Sequence, residues 1–241
     1  MKIIFSDFDG TLFYDNCISE RDLTAIEKFR KLGNKFGIVT GRDIDNGLII
    51  SRGNIFKPDF TICCTGAIIM DEMGKIIYQK TAPSGEFFDK LIKKAIELKA
   101  TLFMISDGLV KYNVDVWGVN KVDLSGLKKY TQANTWFTTT DDAKAFTDYV
   151  NQNFEGLVCA HQNGLGVDLP PPNTSKVTGI YKYASYFKDA EIITVGDNVN
   201  DIEMITHFNG YAVENAVDSV KACTNNHCGR IADLIEKVLA E

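Results

Sequence analysis

The chain has 241 residues, 45% of them hydrophobic and 24% charged, with a formal net charge of −6 at neutral pH. These values fit one large domain, or one domain carrying a smaller one, and exclude disordered, collagen-like and coiled-coil chains. The negative sign opposes a phosphate backbone, so nucleic acid is not expected as a partner.

The opening Lys2-Ile3-Ile4-Phe5-Ser6 is a β-prone run that ends abruptly in Asp7-Phe8-Asp9-Gly10-Thr11, as a buried parallel strand does on entering a loop. Asp7 also interrupts the run before a signal peptide's apolar region forms. No stretch reaches the roughly 18 apolar residues of a membrane helix, so a cytoplasmic protein without membrane contact is expected. Ser19 caps a helix with Leu23, Ile26, Phe29 and Leu32 at helical spacing, stopped by Gly33. A second strand, Lys35 to Thr40, runs into Gly41-Arg42 and another helix. Phe60 to Cys64 reads as a third strand, followed by a hairpin in which Ala67 to Met70 and Lys75 to Tyr78 flank Glu72-Met73-Gly74. The six cysteines, two of them adjacent at Cys63 and Cys64, lack the spacing of a disulfide framework and read as reduced thiols.

Near Pro83 the pattern changes. A helix over Glu86 to Leu98 is followed by strands at Thr101 to Ile105, Leu109 to Asp115 and Thr135 to Thr140. A helix near Ala143 to Asn153 and a hairpin across Asn163-Gly164 complete the stretch. Pro170-Pro171-Pro172 continues neither helix nor central strand and marks a linker. The first pattern then resumes with a helix from Ser175 to Phe187, a strand Glu191 to Val195, the loop Gly196-Asp197-Asn198-Val199-Asn200-Asp201 and a helix through Met204. A strand at Tyr211 to Val213 and a helix from Arg230 close the chain. The order predicts an α/β fold: a Rossmann-like parallel-sheet core over 1–81 and 173–241, with an inserted α+β domain over 82–172.

Asp-x-Asp alone is most often a capped turn, but Asp7-x-Asp9-Gly10-Thr11 sits at a strand's carboxyl end, the edge where open α/β sheets place ligands. Gly196-Asp197-x-x-Asn200-Asp201 occupies the same setting. In a parallel sheet, Asp7, Asp9, Asp197 and Asp201 converge in one crevice, where two carboxylates about 4 Å apart repel by roughly 4 kcal/mol at an effective dielectric near 20. Such a cluster calls for a cation, and an all-oxygen set suits magnesium better than zinc. A calcium-hand loop fails on spacing, because counting from Asp197 puts Ile202 where the loop needs glycine. Cys223, His227 and Cys228 come nearest to a zinc set and read instead as loop and helix-start residues. Thr40-Gly41-Arg42 at a strand end offers a hydroxyl and backbone N–H groups to an anion. Lys176, at a helix start after the prolines, would on its own read as a solvated surface charge.

Taken in order, Asp7-Phe8-Asp9-Gly10-Thr11, Thr40-Gly41-Arg42, Lys176 and Gly196-Asp197-x-x-Asn200-Asp201 resemble the four signature motifs of the haloacid dehalogenase superfamily. The long insertion between the second and third motifs is similar to that of its type-2-capped (IIB), sugar-phosphatase-like branch. The resemblance covers the core segments and extends to Asn215-Ala216. It departs from the branch at Thr65-Gly66-Ala67, where Asn-Gly-Ala is usual, and at Val177, where glycine is common after the lysine.

The resemblance implies that Asp7 is a nucleophile forming an aspartyl-phosphate, and that Asp9 is the general acid and then base, its pKa raised by neighbouring carboxylates. It implies a magnesium ion held by Asp7, the Asp9 backbone carbonyl and Asp197, with Asp201 a further candidate ligand. Thr40, Gly41, Arg42 and Lys176 would surround the phosphoryl oxygens, while Asn200 and Asp201 would hold the metal's waters and orient Lys176. The inserted domain would act as a cap that excludes water and selects the leaving group. The activity implied is a magnesium-dependent phosphatase of small phosphorylated metabolites, above all sugar phosphates. A phosphomutase with the same chemistry and a non-catalytic phosphometabolite-binding protein are the alternatives, and the oligomeric state is not legible. Tyr112, Trp117, Trp136 and His161 are candidate sugar contacts in the insert, with core packing the ordinary reading of such aromatics. Lys90, Lys93 and Lys94 read as a solvated helix face.

Overall fold

A computed structural model describes residues 1–45, 56–108, 110–117 and 123–240. Its organising element is β1 (Lys2–Ser6), whose Ile3, Ile4 and Phe5 are fully buried because both faces of the strand are covered. β1 pairs in parallel with β2 (Lys35–Val39) on one side and with β13 (Glu191–Gly196) on the other. Beyond β2 lie β3 (Phe60–Cys63), β4 (Ile68–Asp71) and β5 (Ile76–Gln79); beyond β13 lie β14 (Tyr211–Val213) and β15 (His227–Cys228). In this sheet β3 and β4 pair antiparallel, and β5 lies beside β4 across the Glu72-Met73-Gly74 turn, where the hairpin was expected. Successive strands therefore advance in opposite directions on the two sides of β1, and the crevice at its carboxyl end is the switch point where such sheets bind ligands.

The chain divides into two compact units, Met1–Ile77 with Lys176–Glu241, and Tyr78–Ser175. In the first, α1 (Glu20–Lys31) starts where Ser19 Oγ accepts the Asp22 N–H at 3.1 Å, and buries Ile26 and Phe29. Leu32 closes the helix exposed, so the apolar stripe is one residue shorter than its spacing suggests. Asp22 is fully buried, yet satisfied: Ser19 Oγ donates to one oxygen at 2.7 Å and the Ala232 N–H of the last helix donates to the other at 2.8 Å. The helix expected after Arg42 falls largely on residues 46–55, outside the described ones.

The second unit has its own core around Phe88, Leu91, Phe103, Tyr130 and Phe146. It contains β6 (Ala82–Pro83), α2 (Phe87–Glu97), β7 (Leu102–Ser106), β8 (Lys111–Val114), β9 (Lys129–Tyr130), β10 (Gln132–Trp136), α3 (Thr140–Asn153), β11 (His161–Asn163) and β12 (Gly166–Leu169). Five of these strands form one antiparallel sheet in the order β11-β12-β10-β7-β8. The strand expected over Thr135 to Thr140 lies earlier, because Thr139 is a helix cap: its Oγ1 accepts the Asp142 N–H at 3.1 Å and α3 begins at Thr140. Pro170 and Pro171 follow β12 directly and are buried, and Pro172 is partly buried.

Back in the first unit, α4 (Lys176–Ala184) precedes β13, and α5 (Ile202–His207), α6 (Asp218–Ala222) and α7 (Ile231–Ala240) complete the fold. β15 was not expected; Cys228 sits on it at the sheet edge, and no disulfide joins the six cysteines. No described helix is long and apolar enough to cross a membrane. Asp22→Ala should lower stability by about 1–3 kcal/mol, since it removes a cap and leaves the buried Ala232 N–H unpaired; urea unfolding measures the loss, and an unchanged midpoint would contradict it.

Candidate active site

The register between β1 and β13 sets the site. Ser6 lies opposite Val195, and the Asp7 N–H donates to Val195 O at 2.9 Å, so Asp7 and Asp197 leave the sheet side by side. Gly10 turns with φ +83°, and any side chain there would run into the Asp197 carboxylate. Thr11 Oγ1 donates to Asp197 Oδ1 at 2.8 Å, closing the first loop onto the second. Asn215 Nδ2 donates to Gly10 O at 2.7 Å and the Val217 N–H to Asp197 O at 2.9 Å, so the segment after β14 braces both loops.

Lys176 is 1% exposed, not a surface charge. Its Nζ donates to Asp7 Oδ1 at 2.7 Å and to Asp201 Oδ1 at 2.6 Å. The helix that carries it packs close to the turn after β3, where a Cβ at Gly179 would meet Gly66 Cα at 2.8 Å. Asp201 is fully buried, and its other oxygen accepts the N–H groups of Asp197 at 3.0 Å and Asn198 at 3.1 Å. With both oxygens engaged, Asp201 holds the lysine and the loop in place. The Oδ1 of Asn200, in the same loop, is buried and accepts no hydrogen bond among the described residues.

Ligand oxygens of Asp7, Asp197 and Asp201 all lie within 4.8 Å of one another. Burial, then the negative charge of Asp201, drives the Asp7 carboxyl well above the usual range despite the pull of Lys176. Burial likewise pushes Asp197 up to about 6, against the Thr11 hydrogen bond. Burial alone would lower Lys176, but the charges of Asp201 and Asp7 outweigh it and raise its pKa. Three carboxylates against one ammonium leave two negative charges, the complement of one divalent cation. An all-oxygen donor set, with a buried unpaired amide oxygen in the loop beside it, fits magnesium.

Asp9 stands apart from this cluster. Its half-exposed carboxylate is held by Arg42, whose Nε and Nη2 donate to its two oxygens at 2.8 and 2.6 Å. The crowding by carboxylates expected at Asp9 is therefore found at Asp7 and Asp197. Thr40 is buried, its N–H donating to Ile62 O at 2.8 Å and its carbonyl accepting the Thr65 N–H at 3.2 Å, which places Thr40-Gly41-Arg42 beside the turn after β3. In the second unit, Trp117 is 75% exposed and Trp136 40% exposed, so neither is the core residue that aromatic composition suggests. His161 Nε2 bonds Thr174 O at 2.9 Å.

The sequence matches the description haloacid dehalogenase-like hydrolase over residues 4–233. The chain belongs to that family. It is similar to a HAD/COF-like hydrolase from Plasmodium vivax, with TM-score 0.80, 21% identity, and 100% of this chain and 96% of that one covered. A haloacid dehalogenase-like hydrolase from Bacillus subtilis aligns with TM-score 0.80 and 19% identity over 98% of this chain and 99% of that one. An uncharacterised protein of Mycoplasma capricolum is 27% identical over 239 residues, 86% of this chain and 88% of the relative. In this family setting Thr11 and Asn215 gain weight: they tie the two acidic loops together, and neither was singled out as a site residue from sequence. Asn215 was visible only as the weak end of the motif resemblance.

The raised Asp197 pKa has a sign. A carboxyl whose folded-state pKa exceeds its ordinary 3.8 favours folding at acid pH and loses that contribution as the pH rises through about 6. Without metal, Asp197→Asn should melt at higher temperature than the native protein above about pH 6, and the two should converge toward pH 4. Thermal melts in chelator across this range test it; a variant that melts no higher at neutral pH would contradict it.

Proposed function

We propose that the protein is a magnesium-dependent phosphatase of small phosphorylated metabolites, sugar phosphates foremost, that acts in the cytoplasm through an aspartyl-phosphate on Asp7. The observation that carries this reading is the buried Lys176 bridge, which fixes the Asp7 carboxylate at a sheet edge crowded with acid. A solved neighbour of the same fold, from Bacteroides thetaiotaomicron, is a phosphatase of this superfamily; it aligns with TM-score 0.78 and 21% identity over 100% of this chain and 94% of that one.

In this reading Lys176 holds one Asp7 oxygen and leaves the other to attack phosphorus in line, splitting one slow hydrolysis into two easier displacements. Lys176, Thr40 and the Gly41 backbone face the phosphoryl oxygens, and Asp9 protonates the leaving alcohol and later deprotonates the attacking water. Asp7, the Asp9 backbone carbonyl and Asp197 would hold magnesium, with Asp201 and Asn200 ordering what surrounds it. When bound, the ion neutralises the surplus acid charge and polarises the phosphoryl group. The unit Tyr78–Ser175 would carry the choice of leaving group, with the exposed Trp117 and Trp136 as candidate contacts.

Purified protein should release free phosphate from one or more sugar phosphates in a panel, only with magnesium present, and Asp7→Asn should lower kcat at least about a thousand-fold. Isomerised product in place of free phosphate would make it a mutase. Stoichiometric binding without turnover would make it a sensor.

A further inference from the structure

Arg42 and Asp9 form a fork in which both carboxylate oxygens are occupied. Surface ion pairs are ordinarily loosely held, but this arginine is fixed from several sides. Its N–H donates to Thr40 Oγ1 at 3.1 Å, and its carbonyl accepts the Cys64 N–H at 2.8 Å. The guanidinium lies 5.2 Å from the centre of the Phe8 ring, which itself stacks on Phe13. The clamp behind it is strained: Cys64 and Thr65 have φ of +52° and +53°, and a β-branched threonine is an outlier there. Strain of this kind persists where the surroundings enforce one geometry, and the geometry enforced here is that of the Thr40–Arg42 loop.

A general acid needs one carboxyl oxygen free to face the leaving oxygen, and Asp9 has both tied to Arg42. The guanidinium fork suits a phosphoryl group as well as a carboxylate. We propose that Arg42 is the positioning residue for Asp9: on substrate binding one arm of the fork passes to a phosphoryl oxygen, while the other keeps Asp9 oriented with its freed oxygen toward the leaving group. The freed oxygen takes up a proton from solvent water, and as the bond from Asp7 to phosphorus forms and the ester P–O bond breaks, that proton goes to the leaving oxygen. The inference rests on the phosphatase reading and gives Arg42 a part in proton delivery beyond phosphate affinity.

The test compares native protein, Arg42→Ala and Arg42→Lys on the best-used sugar phosphate and on p-nitrophenyl phosphate, whose leaving group needs no proton. Arg42→Ala should lose about 100-fold in kcat on the sugar phosphate, with at least about a tenfold smaller loss on the aryl ester. Added guanidinium ion should restore part of the sugar-phosphate turnover, and Arg42→Lys, which cannot bridge two acceptors in one plane, should fall between. Equal losses on both esters, appearing in KM, would make Arg42 a phosphate ligand alone and overturn the proposal. Undiminished turnover would overturn it too, leaving a static surface pair. A native protein that hydrolyses neither ester would defeat the phosphatase reading and this inference together.

Discussion

A single buried ammonium holds the site together. Lys176 joins Asp7, 169 residues earlier in the chain, to Asp201, 25 residues later. Removing a charge from water is costly, and breaking a buried pair by deleting one partner commonly destabilises by about 3–5 kcal/mol. The fold therefore cannot place α4, β1 and the loop after β13 independently of one another. Lys176 ties them together, and the third carboxylate, Asp197, enters the same small volume through the parallel register of β1 and β13.

One lysine does not neutralise three carboxylates, and burial first, then the charge of the neighbouring Asp201, raises the pKa values of Asp7 and Asp197. A site built this way is unstable in isolation and gains from a divalent cation, which is how stored electrostatic cost becomes affinity. Asp201 is spared for another task because backbone N–H groups and Lys176 already engage both of its oxygens.

Much of this was legible in the sequence because it depends on local signals. The apolar run into Asp7, the Ser19 cap and the Gly33 stop each encode their own element, and parallel strands follow from alternating patterns. Thr139 misled because threonine favours both strands and helix caps, and only the Asp142 N–H decides between them. The burial of Lys176 was hidden because a lone lysine carries no mark of burial; its partners lie far away in the chain. The Asp9–Arg42 fork was hidden for the same reason, as was the brace from Asn215 to Gly10. Long-range polar contacts follow from topology, and residue spacing alone does not reveal them.

The central claim is that Asp7, Asp197 and Asp201, set against the one ammonium of Lys176, leave two negative charges matched to one divalent ion. Calorimetric titration of the chelator-treated protein with magnesium at neutral pH tests it most directly. The account predicts one site per chain, with binding abolished in Asp197→Asn. No heat of binding in the native protein, or equal affinity in the variant, would contradict it.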